Sequence, residues 1–227
     1  MKNFIIIFIV VVLICWYSPV FSQTNYIGPM VGLNLANMNF SPKPPEFNLS
    51  TRTGFVAGGA LLINLGSNFY LQVEPAYMQK GTKVTIEEGN EKAEATVKAN
   101  ALDIPVLLKI NLGQGNTQPY LLVGPTLGLV LGDVKLVLDK YTVDGQDLTS
   151  LIPADEKEQK LDSKDTEFGV SFGAGVMFPI SNNQLFIEGG YNLGLTNMAE
   201  ETDGDEVVDV KTSGIQFKVG ILFSLGG

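Results

Sequence analysis

The sequence predicts an all-β chain, an eight-stranded antiparallel up-and-down transmembrane β-barrel that follows a cleavable export signal. Three observations carry this expectation. Apolar residues recur with a period of two over eight segments, the charges inside those segments keep to one parity, and the connections alternate between short and long.

The chain begins Met1-Lys2-Asn3, then runs apolar from Phe4 to Trp16 and reaches Ser22 through Tyr17-Ser18-Pro19-Val20-Phe21. A positive start, a short apolar stretch and a small residue at the end are the parts of a secretory signal peptide. The run is shorter than the roughly 20 apolar residues of a spanning helix. The expected organisation is therefore a signal peptide over 1–22 and an outer-membrane β-barrel domain over 23–227, with Gln23 as the mature N-terminus. Lipidation at Cys15 is the alternative, but Ile14 occupies the place where such signals carry a small residue.

With Cys15 removed, the barrel domain has no cysteine, so packing and backbone hydrogen bonds must hold it. The formal net charge of −9 argues against nucleic acid as a partner. The chain has no histidine, which removes the commonest general base and the commonest zinc ligand together.

Strands are expected at Ile27 to Met38, Thr53 to Leu65, Phe69 to Lys80, Ala101 to Leu112, Pro119 to Gly132, Glu167 to Ile180, Leu185 to Leu195 and Ser213 to Leu225. Each meets or slightly exceeds the length of about 9–11 residues with which a tilted strand crosses a bilayer. In the sixth, Phe168, Val170, Phe172, Ala174, Val176, Phe178 and Ile180 share one face, opposite Glu167, Gly169, Ser171, Gly173 and Gly175. The eighth sets Ile215, Phe217, Val219, Ile221, Phe223 and Leu225 against Gln216, Lys218, Gly220 and Ser224.

Of 24 acidic residues, only Glu74, Asp103, Glu167 and Glu188 fall within these segments, and the bases there are Lys80, Lys109 and Lys218. All seven take the small or polar parity. That is the pattern expected if the opposite face meets lipid, where a mid-depth Arg or Lys costs about 2–4 kcal/mol. A lipocalin-like barrel with the oily face inside would instead leave an exterior of glycines and few charges, far from the roughly 25–35% charge of soluble surfaces.

Short turns are expected around Gly66-Ser67-Asn68, over Gly113 to Gln118 and over Ser181 to Gln184. Long solvated loops are expected over Asn39 to Arg52, Gly81 to Asn100, Asp133 to Thr166 and Thr196 to Thr212. Short turns face the periplasm in outer-membrane barrels, and an even strand number puts both termini there as well. Pro75, Pro105, Pro125 and Pro179 fall within or near strands, where local bulges are expected.

Five segments in order carry a resemblance: Gly32-Leu33-Asn34-Leu35-Ala36-Asn37, Glu74-Pro75-Ala76-Tyr77-Met78-Gln79-Lys80-Gly81, Leu102-Asp103-Ile104-Pro105-Val106-Leu107-Leu108-Lys109, Pro119-Tyr120-Leu121-Leu122-Val123-Gly124-Pro125 and Tyr191-Asn192-Leu193-Gly194-Leu195-Thr196-Asn197. Together they resemble the PorT-like family of outer-membrane β-barrel proteins of the Bacteroidetes. The resemblance implies that prolines at 75, 105 and 125 belong to this barrel type. It also implies a connection to the type IX secretion and gliding machinery, with which the family's namesake is associated.

Glu74, Asp103, Lys109, Glu188 and Lys218 are the candidate site residues. An eight-stranded barrel is just filled by its side chains, so an interior polar network is expected of them rather than a proton or ion path. The acidic run Glu200-Glu201-Thr202-Asp203-Gly204-Asp205-Glu206 could offer carboxylates to calcium but lacks the EF-hand pattern, and solvated surface charge is the plainer reading. Asp155-Glu156-Lys157-Glu158 reads as a solvated loop or short helix. No cofactor and no catalytic residue is expected. The expected role is a non-enzymatic envelope structural or protein-interaction component whose partners are outer-membrane lipid and other envelope or secretion proteins. A narrow transport or ligand-binding barrel is the alternative.

Overall fold

The computed structural model describes residues 25–42, 46–113, 115–199 and 209–225. The expected signal peptide and the acidic run from Glu200 to Glu206 lie outside the described residues. Among those described, the strands are β1 (Tyr26–Ser41), β2 (Phe47–Gly66), β3 (Phe69–Val73), β4 (Ala76–Glu88), β5 (Glu91–Asn111), β6 (Gln118–Val130), β7 (Val134–Val143), β8 (Gln146–Asp147), β9 (Glu158–Leu161), β10 (Thr166–Ile180), β11 (Asn183–Gly194) and β12 (Asp209–Ser224).

Antiparallel pairing closes a ring. It runs from β1 to β2, through β3 and β4 to β5, then β6, β10, β11 and β12, and back to β1. Closure removes the unpaired edges that an open sheet would present to lipid. At one end, Leu225 N–H donates to Asn25 O at 2.8 Å, so both described ends of the chain lie beside the short turns.

The twelve strands correct the expected eight, for two reasons. First, the segment Phe69 to Lys80 divides at Glu74-Pro75, although Val73 pairs with Val106 and Ala76 with Asp103 in one uninterrupted register on β5. Second, three stretches expected as loops are largely β-structure, and the first of them, Asn39 to Arg52, supplies the end of β1 and the start of β2. Gly81 to Asn100 forms the outer halves of β4 and β5, and Asp133 to Thr166 holds β7, β8, a 3-10 turn at Thr149–Leu151, and β9. Asp155 and Glu156 lie in an exposed turn, as the solvated-loop reading expects, and Glu158 opens β9. Strands that rise beyond a bilayer meet water on their outer face, so the lipid-facing alternation fades and their charge reads as loop. What survived in the sequence were turn signals. Asp144-Gly145, both at positive φ, close β7 onto β8, and Gly89 at φ 57 helps turn β4 into β5.

The prolines also behave differently from expectation. Register shifts occur at Thr51/Val56, Asn64/Gly66 and Glu94/Ala95, away from the four prolines. Each antiparallel hydrogen-bonded pair exchanges two bonds, and a proline can still accept one. Pro75 O accepts from Gly59 N–H at 3.1 Å, and Pro105 O accepts from Glu74 N–H at 3.2 Å. One donor is lost at each site and no residue is inserted.

The two faces separate as the parity requires. Val31, Leu33, Phe172, Ile187 and Phe217 are exposed on the outer face, while their strand neighbours Met30, Asn34, Glu188 and Lys218 are buried. Such an apolar girdle is what a bilayer covers. The interior is filled toward the short-turn end by a cluster including Leu62, Tyr120, Met177, Phe186 and Leu222, and a second cluster around Met38, Val84, Val97 and Val134 lines it toward the long-connection end. Gly175 makes room for the first: a Cβ there would lie 2.3 Å from the Tyr120 hydroxyl.

Candidate functional site

Every second residue of β12 points inward, so Leu222, Lys218, Gln216 and Thr212 descend the barrel as successive buried positions, and Gln72, Glu74, Met78 and Lys80 do the same on the β3–β4 wall. The charges of the two walls therefore meet at two levels between the apolar layers.

Nearest the short turns, Lys218 pairs with Glu74 and lies 2.6 Å from Glu188. Gln72 Nε2 donates to Glu74 and, at 3.1 Å, to Glu188 Oε2, which also accepts from the Tyr120 hydroxyl at 3.2 Å. Lys109 lies 3.6 Å over the Tyr120 ring centroid and 3.5 Å from Met177 Sδ, so a cation–π contact and a sulfur are its close partners. Two ammonium groups thus accompany two carboxylates. A void of about 20 Å³ beside Glu74, Glu188 and Lys218 has room for roughly one water.

Toward the long connections, Lys80 Nζ lies 2.8 Å from both Asp103 and Glu167, and the Thr212 hydroxyl donates to Glu167. Arg52 donates to the Lys80 carbonyl from the wall. Here two carboxylates share one ammonium.

Of the five residues chosen from sequence, the structure brings Glu74, Glu188 and Lys218 into direct contact and sets Lys109 beside them through Tyr120. It places Asp103 in the other cluster. Lys80 and Glu167 have the same parity but ended their expected strands, and they were left out of the candidate site although they complete the Asp103 cluster. Gln72, Tyr120 and Thr212 were missed because they are neutral. Their signal was positional, since Gln72 shares Glu74's face two residues away.

Above the ring the wall continues on one side. The tip of β2 (Phe47 to Thr51) pairs with β4, β4 with β5 as far as Glu88 and Glu91, and β5 with β7 from Glu91 to Lys98. β8 and β9 line the far side of β7. The turns of neighbouring hairpins are tied together, Asn90 Nδ2 donating to Asp144 Oδ1 at 2.7 Å and Asp144 N–H to Asn90 O at 3.0 Å. Lys160 lies 2.7 Å from Asp133, and its hydrogen bond holds that carboxyl below the usual carboxylate range. The result is a sheet with charged residues on its exposed face, standing on an apolar base.

Residues 21–200 match the family described as outer membrane protein beta-barrel domain. No curated protein matches the chain. Among solved structures, the outer membrane protein OprG from Pseudomonas aeruginosa aligns with a TM-score of 0.53 at 8% identity, over 90% of this chain and 96% of that one. The attachment invasion locus protein Ail of Yersinia pestis aligns at 0.40 and 15% identity, over 88% and 100%. Neisserial surface protein A aligns at 0.43 and 14%, over 87% and 96%. At these identities the OprG likeness bears on the fold alone.

Proposed function

The chain belongs to the outer membrane protein beta-barrel domain family and resides in the outer membrane, and from that premise we propose that it is a closed, non-enzymatic barrel whose raised sheet binds another envelope protein. In this reading the signal peptide is removed after Ser22, eight wall positions span the bilayer, and the long connections face outward. The single observation that carries the proposal is the continuation of β4 and β5 with β7 and β9 into a hydrogen-bonded platform beyond the ring. A solvated loop would lose much chain entropy on binding, whereas a preformed sheet presents its surface at lower cost. A filled apolar layer at the short-turn end and two interior ion clusters support a scaffold over a conduit, because the charges inside the ring are packed against one another. The resemblance to PorT-like proteins makes components of the type IX secretion and gliding machinery the first partners to seek.

The test is to shorten the hairpin by replacing Thr85 to Glu94 with a two-residue turn between the paired Val84 and Ala95. Crosslinking from intact envelopes should lose a specific partner, while heat-modifiable gel mobility shows that the barrel still folds. An unchanged crosslinking pattern in a folded variant would refute the proposal.

A further inference from the structure

Above the Lys80 cluster the barrel mouth holds an apolar cavity of about 210 Å³. Met38, Val97, Val130, Leu161, Met198 and Val210 are among its walls, and Lys80, Glu167 and Thr212 reach it from below. The strap beside it is fixed by backbone bonds, Lys164 N–H donating to Met198 O at 2.9 Å and Met198 N–H to Val210 O at 2.8 Å. An apolar cavity of about 150 Å³ is enough to bind benzene. This one is larger, and its polar end is not balanced.

The imbalance favours a cationic ligand. The deeper cluster sets Lys218 and Lys109 against Glu74 and Glu188, but the cluster at the cavity sets Lys80 alone against Asp103 and Glu167. Asp103 is buried, its Oδ2 has no hydrogen-bond partner among the described residues, and its side chain borders the small void shared with Glu74, Glu188 and Lys218, one layer below the cavity. Gly128, which lines the cavity, opens the way to it. A Cβ at that position would stand 3.0 Å from Asp103 Oδ1 and 3.4 Å from both Glu167 Cβ and Lys80 Nζ, so a small group entering over Gly128 comes within reach of Asp103, while Glu167 itself lines the cavity.

We propose that the cavity at the barrel mouth binds a small apolar amine, its ring or branched chain among the aliphatic walls and its ammonium group beside Asp103 and Glu167. The ammonium supplies the second positive charge that the cluster lacks. A buried carboxylate without a full partner is costly, so a cation gains there what a neutral head of the same size does not.

Methionine methyl groups make the test local. Met38 and Met198 line the cavity, while Met30, Met78 and Met177 lie elsewhere in the described interior. The protein, labelled with ¹³C-methyl methionine and held in nanodiscs, is titrated with benzylamine and with benzyl alcohol, which are close in size but differ in charge at neutral pH. Benzylamine should shift Met38 and Met198 saturably and leave Met30, Met78 and Met177 nearly still. Benzyl alcohol should bind about tenfold more weakly, the factor expected for one charge-assisted contact. Ala101→Phe, which fills the cavity, should abolish the shifts, and Ala99→Leu serves the same purpose if the first variant loses heat-modifiable folding. Equal affinity for the alcohol overturns the proposal. So do shifts spread unsaturably over all five methyls, or shifts that persist in a folded, filled variant.

Discussion

Replacing Lys218 by methionine isolates the electrostatics of the barrel interior. Lys218 is 6% exposed and pairs with both Glu74 and Glu188, which are 0% and 3% exposed. Methionine keeps an unbranched stem, and volume-conserving exchanges in packed sites usually cost less than about 1.5 kcal/mol. Removing one partner of a buried ion pair costs about 3–5 kcal/mol, because the remaining charge is left uncompensated. Charge therefore dominates, and a loss of about 3–5 kcal/mol is expected. Lys109 stays nearby over Tyr120, whose hydroxyl donates to Glu188, and this favours the lower part of that range. Urea titration of the barrel refolded in lipid vesicles, followed by heat-modifiable mobility, gives the difference directly. Lys92→Met is the control, since Lys92 pairs with Glu87 and Glu94 at 3.3 and 3.2 Å on the exposed hairpin, and its midpoint should not move. If Lys218→Met behaves like Lys92→Met, the interior cluster is not under a strong charge constraint.

Further outcomes follow from the two faces and the two ends. Phe172→Lys should block assembly because Phe172 is half exposed on the apolar outer face, whereas Ser171→Lys, directed inward, should be tolerated better; equal loss of heat-modifiable folding in both would contradict the assigned parity. Intact mass should place the N-terminus at Gln23 without acyl chains, and a mass retaining residues 1–22 would reject the proposed processing. A single cysteine at Asp155, exposed in the turn before β9, should react with an impermeant reagent on intact cells, and one at Asn182, in the short turn after β10, only after permeabilisation; the reverse result would invert the orientation.

The barrel wall was legible because lipid imposes a rule on every second residue. Val170, Phe172 and Val176 announce the outer face, and the charges mark the other. The raised sheet was hidden because no such rule applies in water. Thr85-Ile86-Glu87-Glu88 and Glu91-Lys92-Ala93-Glu94 pair with each other as a charged hairpin, and the strand that extends it into a sheet, β7, comes from a chain segment distant in sequence. Parity also said which charges face inward but not which ones meet. The level at which each charge sits depends on the stagger between walls, so Asp103 joined Lys80 and Glu167 rather than Lys218. The cavity at the mouth was invisible for the same reason, since its walls come from eight strands and a strap.

Buried ion pairs are weak evidence for stability, because their attraction roughly offsets the desolvation of both groups. Their placement suggests a different use. Shifting any wall strand by one residue exchanges its faces. In the native register, Glu74, Glu188 and Lys218 point inward and find one another. Slipped by one, each would enter hydrocarbon, at about 2–4 kcal/mol for a mid-depth lysine alone. We infer that the cluster selects the register by penalising the alternatives. A variant carrying Glu74→Gln, Glu188→Gln, Lys109→Met and Lys218→Met together, which leaves no unpaired charge in the cluster, should then unfold near the urea midpoint of the parent, unlike Lys218→Met alone. It should nevertheless refold into a mixture, visible as several heat-modifiable bands where the parent gives one. A single band with parental kinetics would show that the cluster has no part in choosing the register, and a large fall in midpoint would show that its role is stability after all.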